Sequence, residues 1–583
     1  MSKFLYGALL WVRWIASSTP GYVHPDEYFQ SPEITANAIL DIDSYIPWEF
    51  EKENAIRAVI PPFLTTGLPF WILKTVSQPV VPNAVDMFLV ERFSCLVATL
   101  VMDYAIYRIC RCLDKDPKLP MALFATSHVV LVYYVRPFSN SFESLILCLS
   151  IWCFCTLLEN ATSPTSAFAL GSLLVAGVFT RITFALFGLP IGVAYLYNGF
   201  TKSQPKRFLS SLIPFTLGAT LVAMVFVLAD SLYYGTIQVI IDNVPLTDFV
   251  QVMDAITYPQ KLLTIRASGI PVLTPLNNLL YNTDKSNLEQ HGLHPLYLHF
   301  LVNFPMLFGP LVLGAVAAVT KANEQHVVYR TLSAIVVFGL GGLSFVPHQE
   351  ARFLAPLLVP LIFIFTWNRA KLSRTFWVIW MLFNLITGFI FGYLHQGGVV
   401  PSMMYLQQQT LGLRNCKLAA NSELICDLKT TDMAYTNEYN VTSNVLFYKT
   451  YMAPRHLVGY PKAWEVSRDR PHVRIEDFGS DWDRLDKELH SRSGVTLLNL
   501  HDEYEPHVNF APSKDGTFFE RTLIVAPSTA MLPRVGDARY LLVASFNPHV
   551  NFDDGEILLD AIKEGTFSRA MIGLNVYLLL SDG

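Results

Sequence analysis

The sequence predicts a polytopic α-helical membrane protein that carries a smaller α/β or α+β domain at its C-terminal end. Three observations predict it. The 583 residues are 52% hydrophobic and only 15% charged, too apolar for an ordinary soluble enzyme. Apolar runs of spanning length recur up to about residue 395. Beyond that point short β-rich runs alternate with charged turns.

Allowing for short or tilted helices, the apolar runs cover about 4–18, 86–107, 120–135, 142–158, 166–180, 182–198, 208–231, 299–320, 331–347, 352–368 and 375–395, which makes about eleven spans. The first is interrupted by Arg13 and has a weak basic flank in Lys3. No small-residue cleavage site precedes the loop that follows, so it reads as a retained signal-anchor. The stretch "PPFLTTGLPFWILKTVS" from Pro61 is broken by Pro and Gly and ends in Lys74, and charge decides its status. If it lies in the interface, the loops "RICRCLDKDPK", "GFTKSQPKRF", "TKANEQHVVYR" and "WNRAKLSR" share the cytoplasmic side with roughly a dozen Lys and Arg. If it spans, those loops face outward. The positive-inside rule favours an interfacial segment.

This topology places on the opposite, luminal face the loop from about 19 to 85, "RPFSNSFE" at Arg136, the loop from about 232 to 298, "PHQEARF" at His348, and all that follows about 396. The unusual polar motifs therefore share one side. The expected organisation is a membrane module over 1–395 and a luminal domain over 396–583. In the latter, "NVLFYKTY", "GVTLLNL", "RTLIVAP" and "RYLLVASF" read as strands and "GEILLDAIKEG" as a helix. Cys416 and Cys426, the only cysteines there, either form a disulfide in an oxidising lumen or stay as buried thiols; the other six lie in or beside spans without metal spacing. Asn440 opens a luminal sequon, whereas the one at Asn160 falls in a cytoplasmic loop. A net charge of −5, with no basic patch, argues against nucleic acid as a partner.

The stretch "VHPDEYFQSPE", Val23 to Glu33, carries the chemistry. Pro25 at the first helical position, with Asp26 and Glu27 in the first turn, is an ordinary helix start. Such a start is also a rigid place to hold a reacting carboxylate. At a luminal membrane surface, glycosyl transfer from a lipid-linked phosphosugar needs one base for the acceptor hydroxyl and cations for the departing phosphate. Asp26 is the candidate base, and Glu27 its neighbour that orients the acceptor or raises the basicity of Asp26. A glycosidase would need two carboxyls flanking the bond, which adjacent residues do not provide.

For the cations, His348 and Arg352 stand at i and i+4 in "PHQEARF", and Arg136 is a second candidate; the alternatives are a loop histidine and an arginine snorkelling at a helix end. His291, His294 and His299 lack a carboxylate at ligand spacing, so they read as the polar wall of a cleft rather than a zinc site. Glu91, Arg92, Asp103 and Asp230 lie in or near spans, the kind of placement a transporter would show, but no matching halves accompany them.

The HPDE tetrad, the "RPFSNS" turn, "HQE-RF" at a later luminal helix start and about eleven spans together resemble the dolichyl-phosphate-mannose-dependent mannosyltransferases of GT-C architecture, glycosyltransferase family 22. "GYVHPDEYFQSPE", "IPWEFE", "VLTPLNNLLYNTDKSNLEQHGLHPLYLH" and "FYKTYMAPRHLVG" are most similar to the branch that adds the fourth mannose to glycosylphosphatidylinositol (GPI) precursors. The resemblance implies an endoplasmic reticulum enzyme that moves mannose from dolichyl-phosphate-mannose to the third mannose of a GPI glycolipid. The linkage would be α1,2, formed with inversion and without a metal or other cofactor. It further implies that Asp26 and Glu27 serve catalysis, that His348, Arg352 and Arg136 meet the donor phosphate, that Gln349 and Glu350 shape that wall, and that His24 and Tyr28 line the acceptor side. The loop from Leu273 to His299 is the candidate for acceptor selection. A member acting on the N-glycan precursor or at an earlier GPI step is the alternative within the family, and a lipid transporter the alternative outside it.

Overall fold

The computed structural model describes residues 3–77, 82–160, 163–202, 205–241, 244–245, 266–290, 292–320, 324, 326–412, 416–420, 423–428, 441–465, 471–492, 494–498, 507–512, 519–531 and 537–581. The chain divides into two compact units: Met1–Ser17, Ile46–Thr65 and Phe93–Leu385 form one, and Ser18–Tyr45, Thr66–Arg92 and Ile386–Gly583 form the other. This differs from a boundary at 395.

The first unit is helical. Among the described residues, six helices are long and apolar enough to cross a membrane: Ser139–Glu159, Phe184–Thr201, Phe208–Tyr233, His299–Thr320, Val327–Ser344 and Arg374–Leu394. The protein is thus a polytopic membrane protein. Phe4–Ser17, Pro164–Thr180 and Ala351–Thr366 are apolar but shorter. The run expected over 120–135 is broken, because the helix Lys118–Thr126 ends where Ser127 turns extended and a π-helical segment Val129–Tyr134 follows. Ala84–Cys112 is long enough at 29 residues but carries charge within it. That charge is paired: Arg13 of the first helix donates to Asp103 Oδ2 at 2.8 Å and to Thr99 at 3.1 Å, and Tyr6 donates to the same carboxylate oxygen. Arg13 and Asp103 are both buried. The arginine that interrupts the first apolar run therefore ties the Lys3–Ser17 helix to the Ala84–Cys112 helix. The region read as one loop over 232–298 contains strands Ile237–Ile241, Val244–Pro245 and Arg266–Gly269 in a small antiparallel sheet, then the helix Thr274–Thr283.

The second unit is built on a nine-stranded mixed sheet. Its centre is Phe519–Pro527, antiparallel to Leu574–Leu579 and parallel to Val441–Phe447, which pairs in parallel with His472–Asp477. Every residue of Val441–Phe447 is buried, as expected of a strand covered on both faces. Tyr540–Phe546, Thr496–Leu498 and the Gly555–Lys563 helix fall where the apolar runs foretold them. Cys416 and Cys426 face each other across antiparallel strands and form a disulfide. Asn440 lies outside the described residues.

Into the core of this sheet the first loop inserts its apolar side chains. Tyr22, Phe29, Leu40, Phe70, Met87 and Phe88 share one buried cluster with Val399, Met403, Phe447, Leu457, Val525 and Val576. The segments 18–45 and 66–92 thus belong with the C-terminal chain because their apolar surface is buried in its core. The helix Leu68–Ser77 is apolar on both sides: Phe70 and Leu73 are buried, while Leu68, Trp71, Ile72 and Val76 are exposed. It continues the helical segments Ile60–Pro62 and Phe63–Gly67, and this stretch is not among the helices long and apolar enough to cross a membrane.

Candidate functional site

The tetrad is held from its first residues. The chain leaves Ser18 in extended form and Gly21 N–H donates to Gly392 O at 3.1 Å, followed by Tyr22 N–H to His395 O at 3.0 Å. The Tyr22 hydroxyl donates to Met452 O. Pro25 adopts helical dihedrals (φ −52°, ψ −37°) and the helix Asp26–Phe29 begins behind it with its acidic residues in the first turn. The His24 Nδ1 accepts the Asp26 N–H at 3.2 Å at the start of this helix. Gln30 Nε2 donates to Asp26 Oδ2.

Exposure separates the two carboxylates. The Asp26 side chain is 24% exposed, beside a His24 that is 33% exposed. Glu27 is fully buried, its Oε1 bonded to Arg92 Nη2 and its Oε2 accepting Val23 N–H at 3.3 Å. Tyr28 is equally buried, and its hydroxyl accepts from Arg92 at 3.0 Å. Asp26 and His24 look outward; Glu27 and Tyr28 brace the loop from behind.

The bracing extends to residues the motif did not announce. Glu33 Oε1 accepts from the backbone N–H and from Nδ1 of His456, each at 3.1 Å, and Glu33 Oε2 accepts from Tyr45 N–H. The other ring nitrogen of His456, Nε2, lies 3.1 Å from Glu91 Oε2. Glu33, Glu91 and His456 are all buried. Burial favours the neutral ring, but Glu33 and Glu91 outweigh it and push the His456 pKa up to about 9. A buried glutamate and arginine in an apolar helix, Glu91-Arg92, was the sequence signal for this network.

The remaining candidates lie in the helical unit. His348 Nε2 is bonded to Glu350 Oε1 at 2.7 Å, and Arg352 Nε donates to the other oxygen of Glu350. Partial burial disfavours the His348 cation, yet the Glu350 bond raises its pKa above the ordinary histidine value. His348 Nδ1 donates to Gly292 O at 3.2 Å, and the His294 ring lies 5.7 Å away. The Arg352 guanidinium stands over the rings of Phe353 and Phe138 at 5.4 and 5.9 Å. Arg181, which the motif reading passed over, approaches the same Phe353 ring at 5.0 Å and donates to Ser139 at 2.8 Å. Gln349 is almost wholly buried: its carbonyl accepts from His299 N–H and its amide donates to Ser344 O and Val346 O, so it ties the loop ends together. Arg136 is fully buried, with Nη1 on Val132 O at 2.5 Å. His291 lies outside the described residues. Trp48 of "IPWEFE" packs on Tyr281 at 4.8 Å, and Asn277 donates to Ala55 O, so two of the distinctive stretches meet.

Comparison with known proteins agrees with the chemistry of these motifs. The profile of the Alg9-like mannosyltransferase family matches residues 4–457. GPI mannosyltransferase 4 of Aspergillus oryzae is 30% identical over 602 residues, which cover 98% of this chain and 97% of that protein. Human GPI alpha-1,2-mannosyltransferase 4 is 31% identical over 496 residues, covering 79% and 76%. The Saccharomyces cerevisiae GPI mannosyltransferase 4 is 30% identical over 390 residues, covering 65% and 67%. Among solved structures, the Archaeoglobus fulgidus oligosaccharyltransferase covers 81% of this chain and 62% of its own at 12% identity and a TM-score of 0.38, a likeness too slight to argue from.

Proposed function

Because the chain belongs to the Alg9-like mannosyltransferase family, we propose that it transfers mannose from dolichyl-phosphate-mannose to the third mannose of a GPI precursor, forming an α1,2 linkage with inversion. It is a mannosyltransferase of GPI-anchor biosynthesis; the donor, the acceptor sugar and the linkage are our reading. The observation that carries the mechanism is the exposure of Asp26 beside a buried Glu27. One reachable carboxylate suits a reaction that needs one base.

In this reading Asp26 takes the proton of the acceptor hydroxyl while its oxygen attacks the anomeric carbon. The bond from that carbon to the phosphate oxygen breaks, and dolichyl phosphate leaves as the anion, which needs no general acid. Glu27 and Tyr28, held by Arg92, fix the helix that carries Asp26, and His24 borders the acceptor. In the helical unit, Arg352 and His348 meet the donor phosphate, Glu350 sets their orientation, and Gln349 holds the backbone that presents them. Arg136, fully buried, is the second candidate cation for the donor phosphate. Charge on the departing phosphate is balanced by these side chains without a metal. The arrangement is of the GT-C kind, in the endoplasmic reticulum membrane with the sheet domain luminal, and the Cys416–Cys426 disulfide supports an oxidising compartment.

The test is transfer in microsomes from radiolabelled dolichyl-phosphate-mannose, offering GPI precursors with two or three mannoses and an N-glycan precursor. A four-mannose GPI product from the three-mannose acceptor alone is expected. Transfer to the N-glycan precursor instead would overturn the acceptor assignment.

A further inference from the structure

Within the shared core of the first loop and the C-terminal chain, one side chain joins two buried carboxylates. His456 and Glu33 are 423 residues apart in sequence, and His456 and Glu91 are 365 apart, yet both carboxylates meet the one imidazole at 3.1 Å. Each ring nitrogen faces a carboxylate oxygen. With both carboxylates ionised, a neutral imidazole has one N–H and can donate to one of them, whereas the imidazolium donates to both. The other groups at this ring are Tyr28, whose ring centre is 5.9 Å away, and the apolar Phe70 at 6.2 Å. Arg92, next to Glu91, already serves Glu27 and Tyr28. Without the second His456 proton, one of the two buried carboxylates would face a ring nitrogen that cannot donate to it.

We propose that His456 is a positioning residue of the transfer reaction: as an imidazolium clamped between Glu33 and Glu91, it fixes both sides of the segment that presents Asp26. This rests on the mannosyl-transfer reading above. One arm runs from Glu33, in the helix Pro32–Thr35, back to Gln30, which donates to Asp26. The second runs from Glu91 through its neighbour Arg92 to Glu27 and Tyr28, which follow Asp26 directly. Slack in either arm moves the base, and displacement of a reacting group by about 1 Å lowers the rate by up to roughly a hundredfold. The role of the C-terminal domain is then to complete the catalytic loop.

The experiment compares His456→Gln with wild type in microsomes at matched abundance. A neutral amide keeps shape and one donor group but cannot bridge two carboxylates with charge. We expect kcat to fall about tenfold or more while KM for donor and acceptor changes less than about threefold. Wild-type kcat should fall as pH rises through about 9, because the cation is present below that value and lost above it; the variant should lack this limb. Should His456→Gln fail to accumulate, the double variant His456→Gln/Glu91→Gln, which removes one carboxylate with the cation, carries the same test. Wild-type kcat and an unchanged alkaline limb in whichever variant accumulates would overturn the proposal. An activity-independent arm uses Asp26→Cys in permeabilised microsomes, labelled by a maleimide with and without His456→Gln and with the Asp26 parent as background. The labelling rate should change about threefold or more, and an equal rate overturns the clamp even if wild type transfers no mannose, an outcome that by itself would sink only the reaction assignment.

Discussion

Asp26→Asn is the substitution that separates chemistry from architecture in this protein. Asn has the shape of Asp, and at 24% exposure the site requires no repacking. An amide oxygen still accepts from Gln30, and the hydrogen bond from the Asp26 N–H to His24 is untouched. The structural loss is the difference between a charge-assisted and a neutral hydrogen bond at a partly open site, about 1 kcal/mol. Loss of a general base lowers the rate by about a hundredfold to ten-thousandfold, which is about 2.7 to 5.4 kcal/mol in the barrier. Glu27→Gln behaves oppositely. It leaves Arg92 buried without its carboxylate, a loss of about 3 to 5 kcal/mol in stability, so protein abundance falls before chemistry is affected. The assay is mannose transfer in microsomes from radiolabelled dolichyl-phosphate-mannose to a three-mannose GPI acceptor, normalised to enzyme by immunoblot. An Asp26→Asn enzyme that transfers within about threefold of wild type at equal abundance would refute the base assignment and reduce Asp26 to a helix-start residue.

Other consequences follow from single contacts. In Gly21→Ala the new Cβ would sit 2.3 Å from Gly392 O, so the strand entering the tetrad must shift; transfer should fall about tenfold with the protein still in the membrane fraction, and full activity would show that this pairing does not set the loop. Replacing Arg352 by Lys keeps charge but loses the planar guanidinium that stands over Phe138 and Phe353; kcat should drop about tenfold, and further in Arg352→Gln, whereas equal activity of the two would rule out a phosphate role. Cys416→Ser or Cys426→Ser opens a loop whose ends are ten residues apart, costing about 3 kcal/mol; thiol labelling with and without reductant, and faster proteolysis of the domain, report it. Arg13→Leu strands Asp103 among apolar helices and should lower abundance by destabilisation of about 3 kcal/mol, which Asp103→Asn in the same chain relieves; no change in the single variant would mean the pair is neutral.

The candidate site was legible where its signs are local: the helix start was readable from Pro25 and two acids. The strands over 441–447, 519–527 and 540–546 announced themselves as apolar runs between charged turns. The network behind the tetrad was not legible, since Arg92 and His456 meet the first loop only through tertiary packing. Their sole local sign was the charge of Glu91 and Arg92 in an apolar helix, which a transporter would share. Likewise, a boundary drawn at the last apolar run follows composition. The core follows burial, and Phe29, Phe70 and Met87 are buried with the sheet. The short strands Arg266–Gly269 and Cys416–Leu418 are too polar and too brief to register as strands by pattern.

The shared core of the first loop and the C-terminal sheet also sets an order of events during synthesis. Glu33 leaves the ribosome 423 residues ahead of its partner His456. At about 5 to 20 residues per second, that interval lasts roughly 20 to 80 s. Throughout it Phe29, Leu40, Phe70 and Met87 have been made while the strands that cover them have not. The segment that carries Asp26 is among the first parts of the chain to be made and among the last to acquire its folded surroundings, because the core that buries its neighbours is complete only with the final strands.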